Sequence, residues 1–151
     1  MSNLSIGDKA PQFEAETYEG KPLSLDDFSA KKLVVLYFYP RDNTPGCTKE
    51  ACSMRDGMDG LNELGIQVLG VSTDSVKSHE TFRDKYALNF PLLSDKSKEI
   101  VKSYGVQSAF GTASRKTFLI DKDGVIRHIW NKVKTSDHAN EVIDKVKELG
   151  L

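Results

Sequence analysis

A mixed-sheet α/β fold is what this chain of 151 residues predicts, and three features of the sequence carry that expectation. Leu33 to Tyr39 is an unbroken apolar and aromatic run rich in strand formers, as a central strand covered on both faces would be. Strand and helix patterns then alternate to about Tyr104, the mark of parallel β-α-β units. The last third changes character, with two apolar runs joined by an Asp-Gly pair and followed by one amphipathic helix. The length suits one domain of roughly 150 residues that buries about two-thirds of its unfolded surface, so a single domain over 1–151 is expected.

In chain order, Ala10 to Leu25 carries Phe13, Ala15 and Thr17 in alternation ahead of Glu19-Gly20, which reads as an N-terminal hairpin. Pro40 ends the central strand. Thr44 can serve as N-cap and Pro45 as first residue of a helix running to about Leu64, where Gly65 stops it. A second strand is expected at Ile66 to Val71. Val76 to Leu88 has apolar residues at imperfect helical spacing, Pro91 to Leu93 is a short strand, and a short helix lies near Lys98 to Tyr104. Thr117 to Ile120 and Val125 to Trp130 are the arms of a hairpin about Asp121-Lys122-Asp123-Gly124. Ser136 or Asp137 can cap the final helix, whose Ala139, Val142, Ile143, Val146 and Leu149 form a stripe at spacings of three and four. Parallel alternation closed by an antiparallel hairpin and a terminal helix fits a thioredoxin-like architecture better than a purely parallel doubly wound sheet.

The 21 basic and 22 acidic residues leave a charge of −1, which argues against a general nucleic-acid binder, since such proteins carry a basic face. No apolar run approaches the roughly 18 residues of a membrane span, and Met1 to Ala10 lacks the apolar segment of a secretory signal. A cytoplasmic chain is expected. No Gly-rich phosphate cradle of either nucleotide-binding type is present.

Two cysteines are too few for a disulfide framework, so their placement matters more than their number. Cys47 falls near the third position of the helix that starts at Pro45, where unpaired N–H groups and the positive end of the helix dipole favour an anion. A thiolate is such an anion, and it is the nucleophilic form of cysteine. The competing reading is a thiol that simply packs, because free cysteine is among the most buried residue types. Cys52 lies five residues on, which places the two Cα atoms about 8.6 Å apart on an ideal helix. A disulfide needs less than about 7 Å, so a bridge requires the first turns to unwind, unlike the bridge of a Cys-x-x-Cys pair. Zinc would need three or four ligands, whereas these cysteines lie on divergent helix faces and His79, His128 and His138 are scattered. The histidines read as ordinary surface residues, and no metal site is expected.

Pro40-x-x-x-Thr44-x-x-Cys47 resembles the active-site signature of peroxiredoxins. The longer Thr44-Pro45-Gly46-Cys47-Thr48-x-Glu50-Ala51-Cys52 with Arg55-Asp56 resembles the bacterioferritin comigratory protein, or peroxiredoxin Q, subfamily. The likeness takes in Gly7-Asp8-x-Ala10-Pro11-x-Phe13 and Arg115-x-Thr117-Phe118-Leu119-Ile120-Asp121-x-x-Gly124, and so nearly the whole chain. Met54, where an aromatic is common, and the Ser108 to Ser114 loop depart from the pattern.

The resemblance implies an antioxidant thiol peroxidase without metal or organic cofactor, acting on hydrogen peroxide and organic hydroperoxides. Cys47 would attack the peroxide and become a sulfenic acid, Cys52 would resolve it to an intramolecular disulfide, and thioredoxin or a similar dithiol protein would reduce the bridge. Thr44 would hydrogen-bond the thiolate or peroxide while its oxygen caps the helix, and Arg115 would stabilise the charge that develops as the O–O bond breaks. Pro40 would shield the pocket, and the Gly46 and Cys47 N–H groups would orient the peroxide. A resolving cysteine on the same helix needs no second subunit, so a monomer is expected. Two other functions use the same cysteines: a general dithiol oxidoreductase or isomerase, which needs neither Thr44 nor Arg115, and a redox-signalling or chaperone-like protein that passes oxidation to a partner. Oxidation by hydrogen peroxide far faster than that of free cysteine singles out the peroxidase.

Overall fold

The computed structural model describes residues 4–151, so Met1 to Asn3 of the N-terminal segment lie outside it. In chain order come β1 (Glu14–Thr17), β2 (Pro22–Ser24), a 3-10 turn (Leu25–Phe28), β3 (Leu33–Phe38), α1 (Pro45–Asp56), α2 (Met58–Glu63) and β4 (Ile66–Ser72). They are followed by α3 (Val76–Tyr86), β5 (Leu92–Ser94), α4 (Glu99–Ser103), β6 (Lys116–Ile120), β7 (Ile126–Trp130) and α5 (His138–Leu149). The strands form one sheet in the order β2-β1-β5-β4-β3-β6-β7. β3, β4 and β5 are parallel, whereas β6 runs antiparallel to β3 and β7 antiparallel to β6. The predicted N-terminal hairpin is present as β1 and β2, and β1 attaches to the β5 edge.

Every residue of β3 is buried, as its apolar run requires. Leu33, Val35 and Tyr37 face a core shared with Met54 of α1, Leu61 of α2, Phe82 of α3 and Val142 of α5. Val34, Leu36 and Phe38 face the opposite core, with Ile100 and Tyr104 at α4 and Leu25 of the 3-10 turn. The period of two along the strand thus divides the protein into two cores. Among the described residues no helix is long and apolar enough to cross a membrane.

Three expectations are corrected. The helix predicted from Pro45 to Leu64 is two helices, divided at Gly57, which caps α1 at φ −89° and ψ 4°. A Cβ on Gly57 would stand 2.5 Å from the Cβ of Ala139, so the glycine is where α5 makes its close approach. Asp137 is indeed the N-cap of α5, but its side chain makes no capping bond; the Ala139 N–H donates instead to Ser53 Oγ of α1 at 3.2 Å. The histidines are not surface residues: His79 and His138 are fully buried and His128 is half-buried. Both nitrogens of each buried ring have polar partners, which offsets the desolvation that burial costs.

Candidate active site

The segment between β3 and α1 is held by a buried polar network. Asp42 receives the Tyr39 hydroxyl on Oδ1 at 2.6 Å, and its Oδ2 lies 2.8 Å from Ser78 Oγ and 2.7 Å from His79 Nδ1. Its backbone N–H donates to Asp74 Oδ2 at 2.8 Å, and Asp74 in turn receives the Ser72 hydroxyl. Asp42, Asp74 and His79 bring three ligand-type atoms within 4.8 Å of one another. Those atoms are already bonded to protein donors and acceptors, so the cluster serves as a clamp on the loop. Asn43 follows with φ +61°, a left-handed conformation that asparagine tolerates, and its side-chain oxygen accepts from Tyr86 Oη at 3.1 Å.

The loop delivers Thr44 as N-cap, Pro45 and Gly46 as the first two helical residues and Cys47 as the third, as the sequence predicts. The first helical bond is Thr48 N–H to Thr44 O at 2.8 Å, which leaves the Gly46 and Cys47 N–H groups at the open end of the helix. The Thr44 hydroxyl is not a cap. It donates to the Arg41 carbonyl at 3.0 Å, three residues back, and no helix N–H donates to it. Its lone pairs remain free to accept. Pro40 is half-buried at the end of β3.

Cys47, Glu50, Ala51 and Met54 form the buried face of α1, at spacings of three and four. Cys47 is 2% exposed and Cys52, off that face, is partly exposed; both are free thiols on one continuous helix. Arg115 reaches this face from the residue before β6. The register that sets Phe38 opposite Lys116 places it beside the β3 end from which α1 departs. Its Nη2 donates to Cys47 Sγ at 3.3 Å and its Nη1 to Glu50 Oε1 at 2.7 Å. One guanidinium therefore links a sulfur and a carboxylate in a fixed fork. The structure brings Thr44, Gly46, Cys47 and Arg115 together, and adds Glu50, which sequence reasoning quoted in a motif without assigning it work. Its i+3 spacing from Cys47 was the available signal.

Burial pushes the Glu50 carboxyl up to about 7, an effect that Arg115 only partly offsets. The folded value lies above the ordinary 4.5, so the native protein holds this proton more firmly than the unfolded chain does. The stability so contributed is present at low pH and is lost as pH rises from about 4.5 through about 7.

A model of the AhpC/TSA family matches residues 6–129. The chain belongs to that family. A peroxiredoxin relative named "Putative peroxiredoxin bcp", from Coxiella burnetii, is 50% identical, with 95% of this chain and 99% of the relative covered. The crystal structure of a PrxQ variant from Xylella fastidiosa superposes with a TM-score of 0.92 at 33% identity, covering 100% of both chains. Bacterioferritin comigratory protein from Xanthomonas campestris, whose structures concern alkyl peroxide reduction activity, superposes at 0.85 with 32% identity over 92% of each chain. This AhpC/TSA member is thus a peroxiredoxin of the Bcp and peroxiredoxin Q group with a thioredoxin-like fold, a thiol peroxidase that uses a peroxide and a thiol reductant.

Gly46 sets a limit on this peroxiredoxin's site. A Cβ there would stand 3.0 Å from Arg115 Nη2, the atom that donates to the Cys47 sulfur. Gly46→Ala is expected to push the guanidinium aside and slow peroxide reaction about tenfold to a hundredfold. Thermal stability should hold or rise, since alanine is the better helix former by up to about 1 kcal/mol. Stopped-flow rates beside melting curves check this, and an unchanged rate would show that Arg115 tolerates the methyl group.

Proposed function

We propose that this peroxiredoxin is an atypical 2-Cys enzyme in which Cys47 attacks the peroxide and Cys52 resolves the product within the same chain. The observation that carries the reading is the Cys47 sulfur at a helix N-terminus under the Arg115 guanidinium. Two helix N–H groups and a fixed cation face the sulfur with which a hydroperoxide would react. The thiolate attacks the terminal oxygen of R–O–O–H. A sulfur–oxygen bond forms, and the O–O electron pair leaves on RO⁻, which takes a proton and departs as water or an alcohol. In this reading the Arg115 fork and the Gly46 and Cys47 N–H groups orient the peroxide and receive the developing charge, while the Thr44 oxygen, its hydrogen given to the Arg41 carbonyl, accepts from the peroxide O–H. Pro40 closes the loop side.

The sulfenic acid is then attacked by the Cys52 sulfur, which forms the disulfide and expels water. Thioredoxin or a similar dithiol protein supplies two electrons to restore both thiols, which suits a reducing cytoplasm. Resolution supplied by the same helix supports a monomer, and light scattering should return the mass of one 16.8 kDa chain. Twice that mass at micromolar concentration would overturn the monomer.

Because α1 runs unbroken through both cysteines, ideal spacing sets their Cα atoms about 8.6 Å apart, beyond the bridging limit near 7 Å. Oxidation is therefore expected to unwind the segment from Thr44 to Arg55 while the sheet stays intact. Each helical bond lost costs on the order of 1 kcal/mol net. Hydrogen exchange should show selective loss of protection at Ala51 to Arg55 in the oxidised protein, and equal protection in both forms would contradict in-chain resolution. Cys52→Ser should reduce a single equivalent of peroxide and stall, whereas full thioredoxin-coupled turnover would place the resolving thiol elsewhere.

A further inference from the structure

Arg115 divides its guanidinium between Cys47 Sγ and Glu50 Oε1, and the remaining carboxylate oxygen is anomalous. Glu50 Oε2 is buried and accepts no hydrogen bond among the described residues. The imidazole closest to answering it belongs to His138, at the start of α5, whose Nε2 stands 3.8 Å away with both side chains 0% exposed. His138 Nδ1 lies 2.9 Å from Glu141 Oε1, a carboxylate oxygen that also accepts the Lys134 N–H. Such an oxygen accepts, so Nδ1 carries a hydrogen. Nε2 lies 2.8 Å from Thr117 Oγ1, and a hydroxyl can either give or take. Nε2 is therefore free to be bare, accepting from Thr117, or protonated, with Glu50 as its counter-charge.

One proton thus has two seats: Glu50 Oε2 beside a neutral imidazole, or His138 Nε2 beside an ionised carboxylate. Burial raises the Glu50 carboxyl to about 7, against the pull of Arg115, and lowers the His138 imidazole from 6.5, against the pull of Glu141. The opposed shifts remove the ordinary order in which an imidazole outcompetes a carboxyl for a proton, so the seat is decided by the contacts each group makes. The charged and titratable groups facing the pair are Arg115 ahead of β6, Glu141 on α5, Tyr37 on β3 and Cys47 on α1.

We propose that His138 is a positioning residue of the peroxide site: by sharing one buried proton with Glu50 it sets the charge that Glu50 presents to Arg115, and so the hold of Arg115 on the Cys47 sulfur. The inference rests on the reading of Cys47 and Arg115 given above. With the proton on His138, Glu50 is anionic and its bond to Nη1 fixes the fork. With the proton confined to Glu50, that bond becomes weaker and the fork loosens.

His138→Gln removes one seat. Its rate constant with hydrogen peroxide, measured by stopped flow, should match wild type near pH 8.5, where Glu50 is ionised in both proteins. The rate should fall about fivefold below wild type at pH 6. Taking the ratio at each pH removes every pH effect common to the two proteins, and a merely structural loss would be constant with pH. A second readout needs no turnover: in ¹⁵N spectra of the reduced protein, Glu50→Gln should lower the His138 titration midpoint by at least one pH unit. A flat activity ratio, or a His138 midpoint that Glu50→Gln leaves in place, would overturn the proposal. Failure of the Cys47 reading is seen separately, as peroxide turnover surviving in Cys47→Ser.

Discussion

Replacing Cys47 by serine is expected to abolish peroxide consumption, leaving only the slow background of other thiols. Of the two cysteines, Cys47 combines a helix N-terminus with an arginine donor, whereas Cys52 lies further along α1, off its buried face. A serine hydroxyl in the same place is a far weaker nucleophile, because it stays protonated at neutral pH. Removal of a covalent nucleophile elsewhere costs about 10⁶-fold in turnover, and a loss of several orders of magnitude is expected here. The substitution is nearly isosteric at a site 2% exposed, so the fold should survive and its melting curve should confirm this. Rapid peroxide decay followed by a colorimetric assay would move the nucleophile elsewhere.

The second large effect belongs to Arg115. Its guanidinium is, among the described residues, the one cation bonded to the Cys47 sulfur, at 3.3 Å. Arg115→Met keeps much of the side-chain length and removes both donors. The rate constant with peroxide is expected to fall about 100-fold or more, as loss of a preorganised charge-stabilising donor does in other enzymes. Arg115→Lys should recover only part, since one ammonium cannot reproduce the fork that spans sulfur and carboxylate. Glu50 would be left buried without its cation in Arg115→Met, and it would answer by staying protonated to still higher pH. Stopped-flow rates for the three proteins check this, and a Met variant within a factor of about three of wild type would remove Arg115 from the chemistry.

Where the sequence could be read, the signals were local. The apolar run at β3, the Thr44-Pro45 start of α1 and the Asp-Gly turn between β6 and β7 each lie within a few neighbouring residues, and each is in place. The break at Gly57 was illegible because it answers to Ala139, far along the chain, whose Cβ would be in the way of any side chain there. His79 and His138 were misplaced for the same reason. Their burial depends on partners such as Asp42 and Thr117 that only the fold brings near. Arg115 was found through resemblance rather than pattern, and the β3–β6 register supplies the physical reason that it arrives at Cys47. Thr44 was placed correctly as N-cap, but its hydroxyl turned to the Arg41 carbonyl, a choice that spacing does not reveal.

The central claim is that Cys47 receives the peroxide oxygen, and one measurement addresses it directly. Cys52→Ser, unable to resolve, is mixed with a single equivalent of hydrogen peroxide in the presence of a 1,3-dione that captures sulfenic acids, and its peptides are mapped by mass spectrometry. The expected result is one adduct per chain, on the peptide containing Cys47. Peroxide consumed with Cys47 recovered unmodified would contradict the account.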